Sequence, residues 1–274
     1  MKKRRIQSPS SIILYKQCPR RYYYKYIVGL PESVSIHLVR GKIAHEVLEH
    51  FFDINTQGIN LKNYELTLKA NLQELLLKSW QKYDKQLKKL DLTPDQLKFY
   101  FEETMMMLFN WLDHFIGKIK SFDSLSFQEI FNKLIPLREQ HFISKELGVQ
   151  GFIDSIEHHE DEIHIMDYKT SSHFDLNDDY RLQLGIYALL YQRKHKKTPH
   201  KAGIYFLRYK PKHITVDKEL LSYAQMEIDS IHINTHSTNI VDYPKNESGL
   251  CKYSSGQCDF YDFCFRNKRP TNNK

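Results

Sequence analysis

Gly151-Phe152-Ile153-Asp154-Ser155-Ile156-Glu157-His158-His159-Glu160-Asp161-Glu162-Ile163-His164-Ile165-Met166-Asp167-Tyr168-Lys169-Thr170 is the stretch on which the fold turns. Two β-prone runs, 149–157 and 162–170, flank the polar segment 158–161 and predict a β-hairpin. Side chains alternate across a strand, so Ile163, Ile165, Asp167 and Lys169 share one face. A rise of ~3.3 Å per residue sets Asp167 and Lys169 about 7 Å apart. Asp154, on the preceding strand, joins them across the hairpin. Two carboxylates can hold a hard divalent cation, and a neighbouring ammonium can orient or activate a water beside it. An isolated Asp-x-Lys also suits a surface salt bridge, so the rest of the chain decides between these readings.

Working outward, Gly41-Lys42-Ile43-Ala44-His45 opens a predicted helix that runs through Glu49. His45 and Glu49 share a face by their i,i+4 spacing. Downstream, 178–195 reads as a helix with the apolar stripe Leu182, Ile186, Leu189 and Leu190, and with Gln183 and Tyr187 projecting together. Four cysteines are few for a disulfide scaffold of this length. Cys18 stands near one end, and Cys251, Cys258 and Cys264 fall within fourteen residues near the other. That grouping suits a thiolate-ligated centre, either a 4Fe–4S cluster or Zn²⁺.

These motifs together resemble the PD-(D/E)XK nuclease superfamily, in its RecB-like branch. The G-x-x-D of Gly151–Asp154 and the D-Y-K-T of Asp167-Tyr168-Lys169-Thr170 match that branch's core signature. Gly41 to His45 matches its G-x-x-x-H, and Gln183 with Tyr187 its Q-x-x-x-Y. Cys18-Pro19-Arg20-Arg21-Tyr22 and the C-x5-C of Cys258 and Cys264 resemble the iron–sulfur subgroup, which includes AddB-type and CRISPR spacer-acquisition nucleases. Relatives usually show C-x2-C where this chain has C-x6-C between Cys251 and Cys258, a departure that puts Cys251 in question. Ser254-Ser255-Gly256 in that interval are loop formers. The resemblance implies that Lys169, Asp154, Asp167, Gln183 and Tyr187 are catalytic. It further implies that His45, Asp154, Asp167 and the Tyr168 carbonyl hold Mg²⁺ or Mn²⁺, and that Cys18, Cys251, Cys258 and Cys264 hold a 4Fe–4S cluster, with Zn²⁺ the alternative. Glu139 resembles an acidic residue that the family places one strand earlier, through a short motif.

Composition is consistent with this reading. The 274 residues, 41% hydrophobic and 27% charged, describe an ordinary globular chain able to bury a substantial core. A net charge of +7 suits a polyanionic partner. No apolar run approaches the ~20 residues of a membrane helix, and Lys2-Lys3-Arg4-Arg5 is not followed by a signal-peptide core. The expected location is therefore the cytoplasm, or a host's cytoplasm if the chain is phage-encoded. No G-x-x-x-x-G-K-[ST] motif is present, so the chain is not its own helicase motor.

The remaining elements are read by period and caps. Ser8-Pro9-Ser10-Ser11 caps a short helix to about Cys18, and the interleaved Arg and Tyr residues of 18–26 offer either phosphate and base contacts or core packing. Residues 61–89 predict one helix, and Thr93-Pro94-Asp95-Gln96 caps a second with apolar residues at 97, 101, 105, 108, 112, 115 and 119. A β-rich segment is expected from about 126 to 170, a strand over 202–209 and a helix over 217–234. The basic run Arg193-Lys194-His195-Lys196-Lys197 with Lys201 is a candidate phosphate-tracking surface. The expected fold is α/β: a mixed central sheet flanked by helices in one nuclease domain, 1–274. A helical insertion at about 60–122 and a cluster-binding segment at about 243–268 complete it. The expected function is metal-dependent DNA cleavage, as an exonuclease on single strands or free ends, beside a separate helicase or integrase. A catalytically silent or zinc-stabilised DNA-binding module is the alternative.

Overall fold

A computed structural model describes residues 5–253 and 256–266. Lys2, Lys3 and Arg4 of the basic start, and Ser254 and Ser255 of the loop before Cys258, lie outside the described residues. In chain order the helices are α1 (Pro9–Gln17), α2 (Pro19–Tyr22), a π-helical turn (Tyr23–Val28), α3 (Ile36–Phe51), α4 (Tyr64–Lys82), α5 (Asp84–Leu87), α6 (Pro94–Lys120) and α7 (Phe127–Leu134). Then follow β1 (Leu137–Ser144), β2 (Val149–His159), β3 (Glu162–Lys169), α8 (Asp178–His195), β4 (Lys201–Phe206), β5 (Pro211–Thr215) and α9 (Lys218–Asn234). The chain closes with β6 (Lys252–Tyr253), β7 (Gly256–Gln257) and α10 (Tyr261–Phe265).

Among the described residues the main sheet has the order β1-β2-β3-β4-β5. Its pairs are antiparallel except β3–β4, which is parallel because α8 carries the chain across between them. The sheet is mixed, as expected. β3 lies at its centre, and Ile165, Met166, Asp167 and Tyr168 are all buried, so both of its faces are covered. Met166 and Tyr168 join the core formed with α3, α4, α6 and α7, whereas Ile165 joins the core formed with α1, α8 and α9. The pleat therefore splits the D-Y-K motif between two layers of helices. No helix among the described residues is long and apolar enough to cross a membrane.

Several elements differ from their sequence reading. The first hairpin strand extends further, to His159, because the turn tightens to Glu160-Asp161, and the second ends at Lys169. The helix carrying His45 begins at Ile36 with Ser35 as its cap, so Gly41 is interior rather than initiating. The single helix expected over 61–89 breaks at Tyr83 into α4, α5 and a 3₁₀ turn. The β-rich segment expected from 126 starts with a helix instead, α7, held by a capping box between Ser126 and Glu129. β4 stops at Phe206, and its partner β5 was not anticipated. In the Cys18–Tyr26 segment, Tyr22 and Tyr24 are buried. Arg20 donates to the Tyr243 carbonyl at 2.7 Å, and Arg21 and Lys25 pair with Glu32. That segment is packing and cross-linking, and its basic groups are already partnered.

Charged contacts clamp the helical layer onto the end of the motif strand. Glu103 of α6 pairs with Arg40 of α3 and with Arg208 beyond β4, and the Arg208 Nε donates to the Thr170 carbonyl at 3.3 Å. At the other end of the hairpin, Glu157 accepts from Lys118 of α6 at 2.7 Å and sits 2.8 Å from the His159 Nε2. Burial opposes the Glu157 charge, but these two partners outweigh it and hold the carboxyl at about 2. A carboxylate depressed from its ordinary value of 4.5 adds stability that is present above pH 4.5 and lost as pH falls towards 2. Glu157→Gln is expected to cost about 2–3 kcal/mol at pH 7. The gap between urea melts of the two proteins should shrink below pH 4.5 and close only near pH 2, and a pH-independent gap would refute the linkage.

Candidate active site

α3, Glu139 of β1, the end of β3 and the α4–α5 junction line an open cleft of about 540 Å³, into which His45, Glu139, Tyr168 and Lys169 open. His45 reaches it because Gly41, His45 and Glu49 follow one another at i,i+4 along α3. Its Nε2 donates to the Tyr168 carbonyl at 2.9 Å, and its Nδ1 lies 3.3 Å from Asp154 Oδ2 and 3.9 Å from Glu139 Oε1. Both ring nitrogens thus face oxygen. Burial alone would lower the imidazole pKa, but the negative charges of Asp154 and Asp167 outweigh it and raise it to about 9.

Asp154 is nearly inaccessible, and its Oδ2 accepts the Tyr168 backbone N–H at 2.7 Å, which fixes the carboxylate across the hairpin. Glu139 stands opposite Asp154 in the β1–β2 register, between the pairs Arg138–Ser155 and Gln140–Ile153. Its φ of 45° is left-handed, which is costly for a residue with a side chain. The strain coincides with a slip in the pleat. Gly151 and Ile153 face α8, while Asp154 turns to His45 on the other side and Ile156 returns to the α8 core. Burial and the neighbouring Asp154 push the Glu139 carboxyl up to about 7, with His45 opposing.

Asp167 is 2% exposed and faces α8. Its Oδ1 accepts from Gln183 Nε2 at 2.9 Å and from the Tyr187 hydroxyl at 3.5 Å. Its Oδ2 pairs with the Lys169 ammonium at 2.6 Å. Burial raises the Asp167 pKa, with Lys169 opposing and Asp154 adding to the rise. Lys169 is the converse case: burial would lower its pKa, and Asp167 more than restores it. It stays an ammonium through the neutral range. Gly151 has a packing role here, since a Cβ on it would come within 2.8 Å of the Tyr187 ring. Only a glycine lets Tyr187 lie against β2 and reach Asp167.

Donor atoms of His45, Glu139 and Asp154 lie within 4.8 Å of one another, the one such group of three among the described residues. An imidazole and two carboxylates, with the Tyr168 carbonyl beside them, form a donor set suited to Mg²⁺ or Mn²⁺. The expected ligands His45, Asp154 and Tyr168 are thus together. Glu139, expected from a weak motif alone, stands among them, and Asp167 turns instead towards Lys169, Gln183 and Tyr187. The basic run that ends α8 starts about 15 Å along that helix from Gln183, at 1.5 Å per residue. There Arg193 pairs with Glu146 at 3.3 Å and Lys201 with Glu162 at 2.9 Å.

Cys18, which ends α1, lines a small cavity with Cys251, Cys258 and Cys264. All four are free and half-buried, and no three of their sulfurs lie within 4.8 Å of one another. The widened C-x6-C interval contains the β6–β7 pair, and the Cys258 N–H donates to the Cys251 carbonyl at 3.0 Å. Cys251 lines the cavity despite the widened interval. Burial pushes the Cys264 thiol up to about 11.

A model of the PD-(D/E)XK nuclease superfamily matches residues 7–265. The chain belongs to the PD-(D/E)XK nuclease superfamily. No curated protein matches it. The crystal structure of a candidate exonuclease from Eubacterium rectale is similar in fold, with a TM-score of 0.51 at 12% identity, over 99% of this chain and 91% of that one. In this PD-(D/E)XK protein Asp154 lies on β2, and Asp167 and Lys169 lie on the neighbouring β3.

Proposed function

We propose that the protein is a Mg²⁺- or Mn²⁺-dependent DNA nuclease of the RecB-like branch, an exonuclease acting on single strands or free ends. The observation that carries this is the convergence of His45, Glu139 and Asp154 beside the Lys169–Asp167 pair in an open cleft. His45, Glu139 and Asp154, with Tyr168, would hold the metal, and Asp167 would complete the shell on turning from Lys169. A bound divalent cation lowers the pKa of its water and offsets charge on the phosphate. Lys169, as an ammonium, orients the attacking water and stabilises charge developing on the phosphate oxygens. Gln183 and Tyr187 hold Asp167, and with it Lys169, in place. A bundle of helices at 60–122 would be an insertion in one nuclease domain, bordering the DNA path. The cytoplasm is the proposed location, and recombination and repair, phage DNA metabolism and CRISPR spacer acquisition are the proposed settings, with a helicase or integrase as a separate partner.

The test is cleavage of end-labelled single- and double-stranded DNA with and without Mg²⁺. Metal-dependent shortening of the label is the expected result. Binding without cleavage would favour a silent DNA-binding module.

The four cysteines are assigned here to a 4Fe–4S cluster, with Zn²⁺ the alternative. The cavity joins the end of α1 to α10, so the cluster's role would be structural. Anaerobically purified protein is expected to be brown with about four irons per chain. Cys18→Ser, Cys251→Ser, Cys258→Ser and Cys264→Ser should each bleach it and lower Tm. A colourless, zinc-loaded protein with full nuclease activity would overturn the cluster and spare the nuclease.

A further inference from the structure

Two residues from the Glu139–Asp154 pair, towards the β1–β2 turn, the strands pair His141 with Phe152. Alternation places both on the sheet face that carries Glu139 and Asp154, about 7 Å along the strands. The two rings stack, with centroids 4.4 Å apart and planes inclined by 14°. Neither is covered: Phe152 is 55% exposed and His141 is also exposed. The next pair on this face continues the shelf, with Ile143 exposed opposite Gln150, whose Oε1 lies 3.3 Å from the His141 Nε2. Leaving a phenylalanine in water forgoes the burial its neighbour Ile153 achieves on the opposite face. A stacked aromatic pair in that position is poised for a planar partner.

We infer that His141 and Phe152 form the platform on which a nucleobase of the bound strand stacks while its phosphate lies at the His45–Glu139–Asp154 group. This rests on the nuclease reading given above. The shelf is continuous with the metal-ligand face, and its distance from those ligands is within the reach of one extended nucleotide. Stacking tolerates any base, because each presents a π-face, and so suits an enzyme that must advance along arbitrary sequence. Flat rings held against each other also lose little freedom on binding. Phe152 is therefore a positioning residue: it sets which phosphate reaches the ligands and takes no part in bond breaking.

The experiment uses the full chain. Single-stranded oligonucleotides carrying 2-aminopurine at successive positions are bound to Lys169→Ala protein, and fluorescence quenching is mapped. One position should quench strongly. Adding Phe152→Ala should abolish that quench and weaken binding about tenfold, and Phe152→Trp should restore both. In cleavage assays on the otherwise native chain, an abasic site at the same position should slow the wild type and leave Phe152→Ala no slower than it already is. Because Phe152 is exposed, Tm should not change, which separates lost stacking from lost folding. If the wild type cleaves DNA with Mg²⁺ but Phe152→Ala keeps both the quench and the abasic sensitivity, the platform is wrong and the nuclease reading stands. If the wild type cleaves no DNA under any metal, both fall together.

Discussion

Replacing Lys169 with alanine is expected to lower kcat for DNA cleavage about 10³-fold, roughly 4 kcal/mol of transition-state stabilisation, while DNA affinity stays within about threefold of wild type. The reason is the state of the side chain. Asp167 keeps Lys169 protonated despite its burial, so it cannot serve as a proton acceptor near neutral pH. Its contribution is a fixed positive charge beside the cleft, aimed where phosphate oxygens gain charge. Loss of that charge should appear in kcat and not in binding, since a single buried ammonium adds little to a long polyanion contact. The fold should survive the change. Asp167 keeps Gln183 and Tyr187 as donors, and its raised pKa lets it take up a proton when the ammonium is gone. The rate–pH profile of the wild type should show no limb from Lys169 deprotonation through the neutral range, because Asp167 raises its pKa. Cleavage by Lys169→Ala at the wild-type rate, with unchanged Tm, would remove this residue from the chemistry.

How much of this could be read in the sequence depends on how local each feature is. The β2–β3 hairpin was legible because two β-prone runs meet at a polar turn, a signal contained in twenty residues. Gln183 and Tyr187 were legible as one projecting pair because both lie on α8 at i,i+4. Their partner was not, because Asp167 meets α8 only through the crossover that makes β3 and β4 parallel. Glu139 is the hardest case. Its place opposite Asp154 depends on strand register, and its left-handed φ is imposed by the slip in the pleat. No residue near it announces either. The break at Tyr83 carries no proline or glycine, so helix periodicity runs straight through it. α7 was within reach: Ser126-Phe127-Gln128-Glu129 is an S-x-x-E capping signal, overridden by the β-branched and aromatic residues around it. The Met105–Met107 run illustrates the limit of pattern alone. Met107 is buried and Met106 is among the most exposed apolar residues.

Metal affinity is expected to rise about 100-fold between pH 7 and pH 9 and then level off. The metal-free site binds protons where the metal must sit. His45 holds a proton with a pKa of about 9, and Glu139 holds one with a pKa of about 7. A ligating imidazole must be neutral and a ligating carboxylate ionised, so metal and protons compete for the same atoms. Above pH 9 neither proton is present and affinity is flat. Between pH 7 and 9 one proton leaves His45 for each metal bound, which gives about tenfold per pH unit. Below pH 7 the Glu139 proton is displaced as well, and the slope steepens towards two. Calorimetric titration with Mn²⁺ in buffers of different ionisation enthalpy would count these protons directly. His45→Gln, which cannot be protonated, should bind more weakly at pH 9 yet lose the pH dependence between 7 and 9. Glu139→Gln should retain that dependence and lose only the steepening below pH 7. An affinity that does not change from pH 7 to pH 9 in the wild type would show that His45 is not a ligand. The three-donor group would then be an ion-paired contact between α3 and the hairpin, with the metal held elsewhere in the cleft.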